Sequence, residues 1–220
     1  MGGRAFHPRF EDLPRILPVF PLTGALLLPE GRLPLNIFEP RYLAMVEDAL
    51  GWGRLIGMVQ PVTGEDEGIP TLYGTGCAGR ISSFDETEDG RLLITLTGVC
   101  RFHIGTEVDP SRGYRRVDAD WSAFRGDLDQ PEAVALDRDR LFVLLRAYLK
   151  QQGLELNLKA VEAASDLALT VNLPMALPFE PPEKQALLEA ADPAIRGQTL
   201  ITLMEMALAE GADGPGHIKQ

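Results

Sequence analysis

Cysteine is scarce in this sequence: Cys77 and Cys100 are the only two among 220 residues. Two cysteines make no disulfide framework. A chain this long buries roughly 70% of its unfolded surface and needs neither staples nor structural metal. Histidine is nearly as rare. His7, His103 and His217 stand far apart, with no second ligand at useful spacing, so no metal site assembles from local sequence. The acidic runs Glu65-Asp66-Glu67 and Asp85–Asp89 fit no calcium-loop pattern and read as solvated turns. The phosphate loop G-x-x-x-x-G-K-S/T is missing, and so is the nucleophile elbow G-x-S-x-G. The expectation is a protein that is not an enzyme and has no cofactor. No apolar run approaches the roughly 18 residues of a membrane span. The charged start, with Arg4, Arg9, Glu11, Asp12 and Arg15, is no signal peptide, so the cytoplasm is the expected compartment.

A basic excess is also missing. The formal net charge is −11, with 13 basic against 17 acidic residues over 1–125 and 8 against 15 over 126–220. Neither part offers the positive field that binds phosphate backbones, so nucleic acid is disfavoured as a partner. The cluster Arg112, Arg115 and Arg116 reads as a solvated loop.

What is present falls into two regimes. Residues 13–125 show short apolar or alternating runs broken by Gly and Pro, the pattern of strands and turns. Strands are predicted at Ile16–Phe20 (Pro18 pointing to an edge or bulge), Ala25–Leu28, Arg32–Ile37 and Arg54–Gln60. A helix opens at Pro40, with Leu43, Val46 and Leu50 as its apolar face and Gly51 as its stop. Thr63–Gly68 reads as a loop. Gly76–Phe84 and Leu92–Ile104 form a hairpin, with Leu92, Ile94, Leu96, Cys100, Phe102 and Ile104 on one face. Placing Ser83 opposite Ile94 puts Cys77 opposite Cys100, facing inward as packed neighbours or, alternatively, as a redox switch.

Residues 131–210 show helical periodicity. The first predicted helix starts at Pro131, carries Val134, Leu141, Leu144, Leu145, Tyr148 and Leu149 as its stripe, and ends at Gly153. Asn157 caps a second, packed through Val161, Leu167 and Val171 and ending before Pro174. A third spans Pro182–Ala190. The fourth opens at Asp192-Pro193, buries Ile195, Leu200, Leu203, Met204 and Ala207, and closes before Gly211. The expected domains are a β-rich lobe over 1–125, a helical bundle over 126–210 and a flexible tail over 211–220, with a hinge near Arg125-Gly126-Asp127.

Three blocks carry a resemblance. Leu17-Pro18-Val19-Phe20-Pro21-Leu22 is followed by Leu33-Pro34-Leu35-Asn36-Ile37-Phe38-Glu39-Pro40-Arg41-Tyr42. Gly74-Thr75-Gly76-Cys77-Ala78-Gly79-Arg80-Ile81 leads through Asp89-Gly90-Arg91 to Gly98-Val99-Cys100-Arg101-Phe102. Glu183–Glu189 with Asp192, Pro193 and Arg196 is a weaker third block. Together they resemble the N-terminal, substrate-binding domain of the Lon protease family over roughly residues 13–205, with one extra residue before Ala78. The resemblance implies an α+β fold: a bent, PUA-like β pseudobarrel followed by a small α-helical bundle. It also implies a stand-alone member without the ATPase and peptidase domains, binding unfolded or extended polypeptide or one specific protein, as monomer or homo-oligomer. The alternative is an RNA-binding PUA-like protein. Candidate binding residues are Phe38, Glu39, Arg41, Tyr42, Trp52, Met58 and Pro61. Each also has a purely structural reading. Phe38 reads as core and the Glu39–Tyr42 segment as a strand-to-helix turn, whereas Trp52, Met58 and Pro61 are expected at the surface near turns.

Overall fold

The computed structural model of the chain describes residues 8–62, 70–129 and 134–213. Six strands and six helices follow one another: β1 (Ile16–Pro21), β2 (Arg32–Ile37), α1 (Pro40–Gly51), β3 (Leu55–Val59), β4 (Thr75–Glu86), β5 (Leu92–Ser111), β6 (Tyr114–Asp120), then α2 (Arg138–Gln152), α3 (Leu158–Glu162), α4 (Asp166–Ala176), α5 (Pro181–Glu189) and α6 (Pro193–Asp213). A 3-10 segment, Ser122–Leu128, joins the two halves. The fold is α+β, as the resemblance implies. The predicted loop Thr63–Gly68, the helix start at Pro131 and the tail beyond residue 213 lie outside the described residues.

The strands are ordered β2-β5-β4-β3-β1-β6, and β6 also pairs with β5, so five strands close a ring and β2 is appended outside it. Closure depends on the length of β5. Its first part pairs with β2 and its last part with β6, while β4 runs beside both. The β5–β6 hairpin turns on Arg112 (φ 47°) and Gly113 (φ 88°). Two successive positive φ values match the right-handed twist of a tight hairpin. The Arg112–Arg116 segment is therefore a turn and a strand rather than a solvated loop. Ala25–Leu28 is not a strand; it is an extended segment whose Leu26, Leu27 and Leu28 are buried. Nor is Pro18 on an edge. It pairs with Arg116 of β6 one residue before the parallel β1–β3 pairing begins at Val19.

Two apolar cores result. Inside the ring, Leu17, Val19, Val59, Phe102, Val117 and Trp121 pack together. Phe102 fits because Gly57 and Gly76 face it: a Cβ at either position would stand 2.7 Å from its ring. The second core lies outside the ring, where Ile56, Met58, Ile81, Ile94 and Leu96 meet α1 and the helical bundle. β3 is buried on both faces for this reason. The buried side of α1 is Tyr42, Met45, Val46 and Ala49, one position off the predicted stripe, with Leu43 and Leu50 half-buried.

The helices follow their local signals with three exceptions. Asp137 caps α2, Gly153 ends it in the left-handed conformation, and Asn157 caps α3. The first exception is that α2 begins at Arg138, with Val134–Asp137 non-helical. The second is a break in the predicted long helix at Ser165, whose side chain accepts from Ala168 N and starts α4. Pro174 then lies inside α4, in its last turn, where the helix gives up the one backbone bond to Thr170 O that the proline cannot donate. The third is α6, which runs through Gly211 to Asp213 and leaves Ile195 exposed.

The cysteines do not meet as predicted. Bulges between Ala78/Gly79 and Ile81/Ser83 shift the register, so Cys77 pairs with Arg101 and Ala78 with Cys100. Cys100 belongs to the ring interior and Cys77 to the outer core. Burial pushes the Cys77 thiol far up and the Cys100 thiol up to about 12, so both stay protonated at neutral pH. Neither thiol is expected to react with Ellman's reagent in the native protein, and both should react once it is unfolded in guanidinium. Stoichiometric labelling of the native state would contradict this burial.

Candidate functional site

Three of the seven candidate residues meet in one cleft. The first turn of α1 contributes Arg41 and Tyr42, the end of β1 Pro21, and Pro61 and Pro70 flank the stretch between β3 and β4. Tyr114 and Arg115 at the start of β6 complete a cleft of about 370 Å³. Its charges are already engaged. Arg41 pairs with Glu39 at 2.9 Å and stacks over the Tyr42 ring at 4.6 Å. Arg115 pairs with Glu107 and donates to Pro70 O at 2.8 Å. Tyr114 Oη donates to Asp48 Oδ2 at 2.8 Å. Burial raises the pKa of both tyrosines, so each presents a neutral phenol. Proline walls with paired arginines suit a small apolar side chain.

The other candidates are elsewhere. Phe38 is 64% exposed just before α1, against its core reading, and Trp52 is 87% exposed just after it. The 12 residues of α1, about 18 Å of helix at 1.5 Å each, separate the two, so they lie at opposite ends of α1. Met58 is buried in the outer core and presents nothing to a ligand, because β3 is covered on both faces. Glu39 touches the cleft only through its pairing with Arg41.

The exposed Phe38 marks a second surface. β2 pairs with β5 alone, so the whole length of its other edge is without a strand partner among the described strands. On the strands behind it, Leu93 of β5, which pairs with Asn36, and Phe84 of β4, which pairs with Ile94, are exposed on opposite faces of the sheet. A shallow depression of about 440 Å³ runs beside them between Pro34 and Asp85. A free edge offers backbone donors and acceptors, and the apolar side chains beside it offer contact area.

A model of the ATP-dependent protease La (LON) substrate-binding domain matches residues 16–206, nearly the whole described chain. The chain belongs to this family. Lon protease 2 of Myxococcus xanthus is 27% identical over 200 residues, covering 88% of this chain but 24% of that protein. Lon protease of Anaeromyxobacter dehalogenans is 26% identical over a similar span. The chain thus spans about a quarter of the length of these curated relatives. Two solved structures share the fold: the Lon N-terminal domain protein from Xanthomonas campestris, with TM-score 0.60, 24% identity and coverage of 85% of this chain and 97% of that one, and the N-terminal domain of Mycobacterium avium complex Lon protease, with TM-score 0.59 and 21% identity.

Within this Lon-type domain the junction between ring and bundle is polar. Arg101, 3% exposed, donates to both carboxylate oxygens of Asp127 and to the carbonyls of Leu188, Ala190 and Ala191. Lys184 donates to Gly24 O, Gln185 to Thr75 O and Gln60 to Pro181 O. The ring and the bundle therefore share a core that is crossed by hydrogen bonds. Arg101 was legible only as part of a motif. Phe84 and Leu93 were legible as strand residues, but nothing local marks their exposure. Among the described residues no group of three or more His, Cys, Asp or Glu is placed to hold a metal ion, and no helix is long and apolar enough to cross a membrane.

Proposed function

We propose that this chain is a non-catalytic polypeptide-binding module that adds an extended segment of an unfolded protein to the free edge of β2. The observation that carries the reading is that edge, with Phe38 exposed just past its end and Leu93 exposed on the adjoining strand. An added strand gains backbone hydrogen bonds whatever its sequence, and apolar pockets beside the edge favour the side chains that a folded protein hides. Pro34 removes one donor from β2, which keeps the docked segment short and the edge from pairing without limit. In the cell the module acts as an adaptor or holding protein for proteolysis in the cytoplasm. The RNA-binding alternative has less support, since Arg112 pairs with Glu47 and Asp48, Arg115 with Glu107, and Arg116 donates to Asp109 O.

Fluorescence anisotropy against a labelled, permanently unfolded polypeptide tests this, with the folded form and a single-stranded RNA as controls. Selective binding to the unfolded chain is expected. Phe38→Ala and Leu93→Ala should each weaken it by about fivefold or more, as truncation of an apolar anchor does. Val143→Ala, on the exposed side of α2, should leave it unchanged. Equal affinity in all three variants, or no binding to the unfolded chain, would remove the β2 edge from the reading.

A further inference from the structure

The cleft of about 290 Å³ between the 3-10 segment, α4 and the start of α6 holds an arginine that makes no ion pair among the described residues. Arg196 is 2% exposed and lines it. Its Nε donates to Leu187 O at 3.1 Å; among the described residues the guanidinium makes no other hydrogen bond and has no carboxylate at ion-pairing distance. The neighbouring Arg101 spends its donors on Asp127 and three carbonyls, so Asp127 is already taken. Burial first, and then the charge of Arg101, depress the pKa of Arg196 to about 10, which still leaves it charged at neutral pH. The N-terminus of the 21-residue α6 opens on the same cleft, its partial positive charge met by the capping carboxylate of Asp192. The outer edge of the guanidinium has no protein acceptor among the described residues and lines the cleft, where it can take an incoming anion.

We propose that this cleft binds a carboxylate carried on an apolar body, held by the outer edge of the Arg196 guanidinium. A carboxylate matches that edge in a planar, two-bond pairing. The walls supply the apolar contact: Pro29, Phe124, Leu167, Val171 and Pro193. The rim selects against higher charge, because Asp129 and Asp192 carry carboxylates there and repel a dianion such as phosphate more than a monoanion. Two sources share this chemistry, the C-terminus of a polypeptide ending in an apolar residue and a small branched organic acid. The site is separate from the β2 edge, so its failure leaves that reading standing.

The 220-residue chain is titrated with the peptide Ala-Ala-Leu, its C-terminal amide, 4-methylpentanoate and inorganic phosphate, by calorimetry and by the Nε–Hε resonance of Arg196. The free-acid peptide is expected to bind about tenfold or more tightly than the amide, the worth of a charge-assisted pair, and to shift the Arg196 resonance. Binding of 4-methylpentanoate without the peptide also supports the site and assigns the small acid as its source. Asp129→Asn, an exposed change, should tighten either carboxylate by about twofold by removing a rim charge. Arg196→Gln should abolish binding. If that variant does not fold, the resonance shift and Asp129→Asn still decide. Equal affinity for acid and amide peptides, preference for phosphate, binding that leaves the Arg196 resonance unmoved, or no binding at all overturns the proposal.

Discussion

Arg101→Met is expected to lower the free energy of unfolding by about 3–5 kcal/mol, the usual cost of breaking a buried ion pair from one side. Methionine can fill the space of the arginine stem, so the loss is electrostatic rather than volumetric. Asp127, whose side chain is 10% exposed, keeps the backbone N–H of residue 101 but loses the guanidinium on both oxygens. The carbonyls of Leu188, Ala190 and Ala191 lose a donor in the same step. These groups come from β5, the 3-10 segment and the end of α5, so one substitution loosens ring from bundle. Urea unfolding should show a lower midpoint, and since typical stabilities are about 5–15 kcal/mol the variant is expected near the edge of folding. Adding Asp127→Leu should restore part of the loss, because two apolar groups replace an orphaned charge. A decrease below about 1 kcal/mol, as for a surface pair, would show that water reaches this site.

Gly98→Ala is expected to cost at least about 3 kcal/mol, the upper end for overpacking a filled site. A Cβ there would stand 1.9 Å from Leu28 O and 2.7 Å from Leu28 C, both backbone atoms that cannot rotate away. The crossing is held from both sides, with Glu30 N donating to Gly98 O at 3.0 Å and Gly98 N to Gly31 O at 2.8 Å. Room for a methyl comes only by lifting the segment that buries Leu26, Leu27 and Leu28. Gly74→Ala makes the comparison, since nothing stands within 4 Å of its Cβ position. It should change stability by about 0.5 kcal/mol or less. Thermal unfolding of the two variants side by side reads the difference, and equal midpoints would mean that the crossing opens easily.

Local features were legible wherever one short stretch of chain carries its own physics. Pro40 opens α1, Gly153 ends α2 in the left-handed conformation, and Asn157 and Asp192 cap their helices through their own side chains. The motif blocks around Leu17–Tyr42 and Gly74–Phe102 pointed to the family. Missing nucleophile and phosphate motifs pointed away from catalysis. The candidate site was legible only in part. Arg41, Tyr42 and Pro61 do share a cleft, yet Met58 is covered on the side where its turn-proximal position suggested exposure.

The sequence by itself determined where most strands and helices lie, the family, and the residue types on offer. Tertiary structure decided which side chains face which core. The reason is long-range pairing: one bulge residue reverses every face beyond it, so Cys77 and Cys100 part company although both follow the alternating pattern. Ring closure through the end of β5, which leaves β2 with a free edge, likewise arises from pairings between segments rather than within them. Arg101 and Arg196 look alike in the sequence. Only the fold surrounds one with acceptors and leaves the other with a single bond at the wall of a cleft.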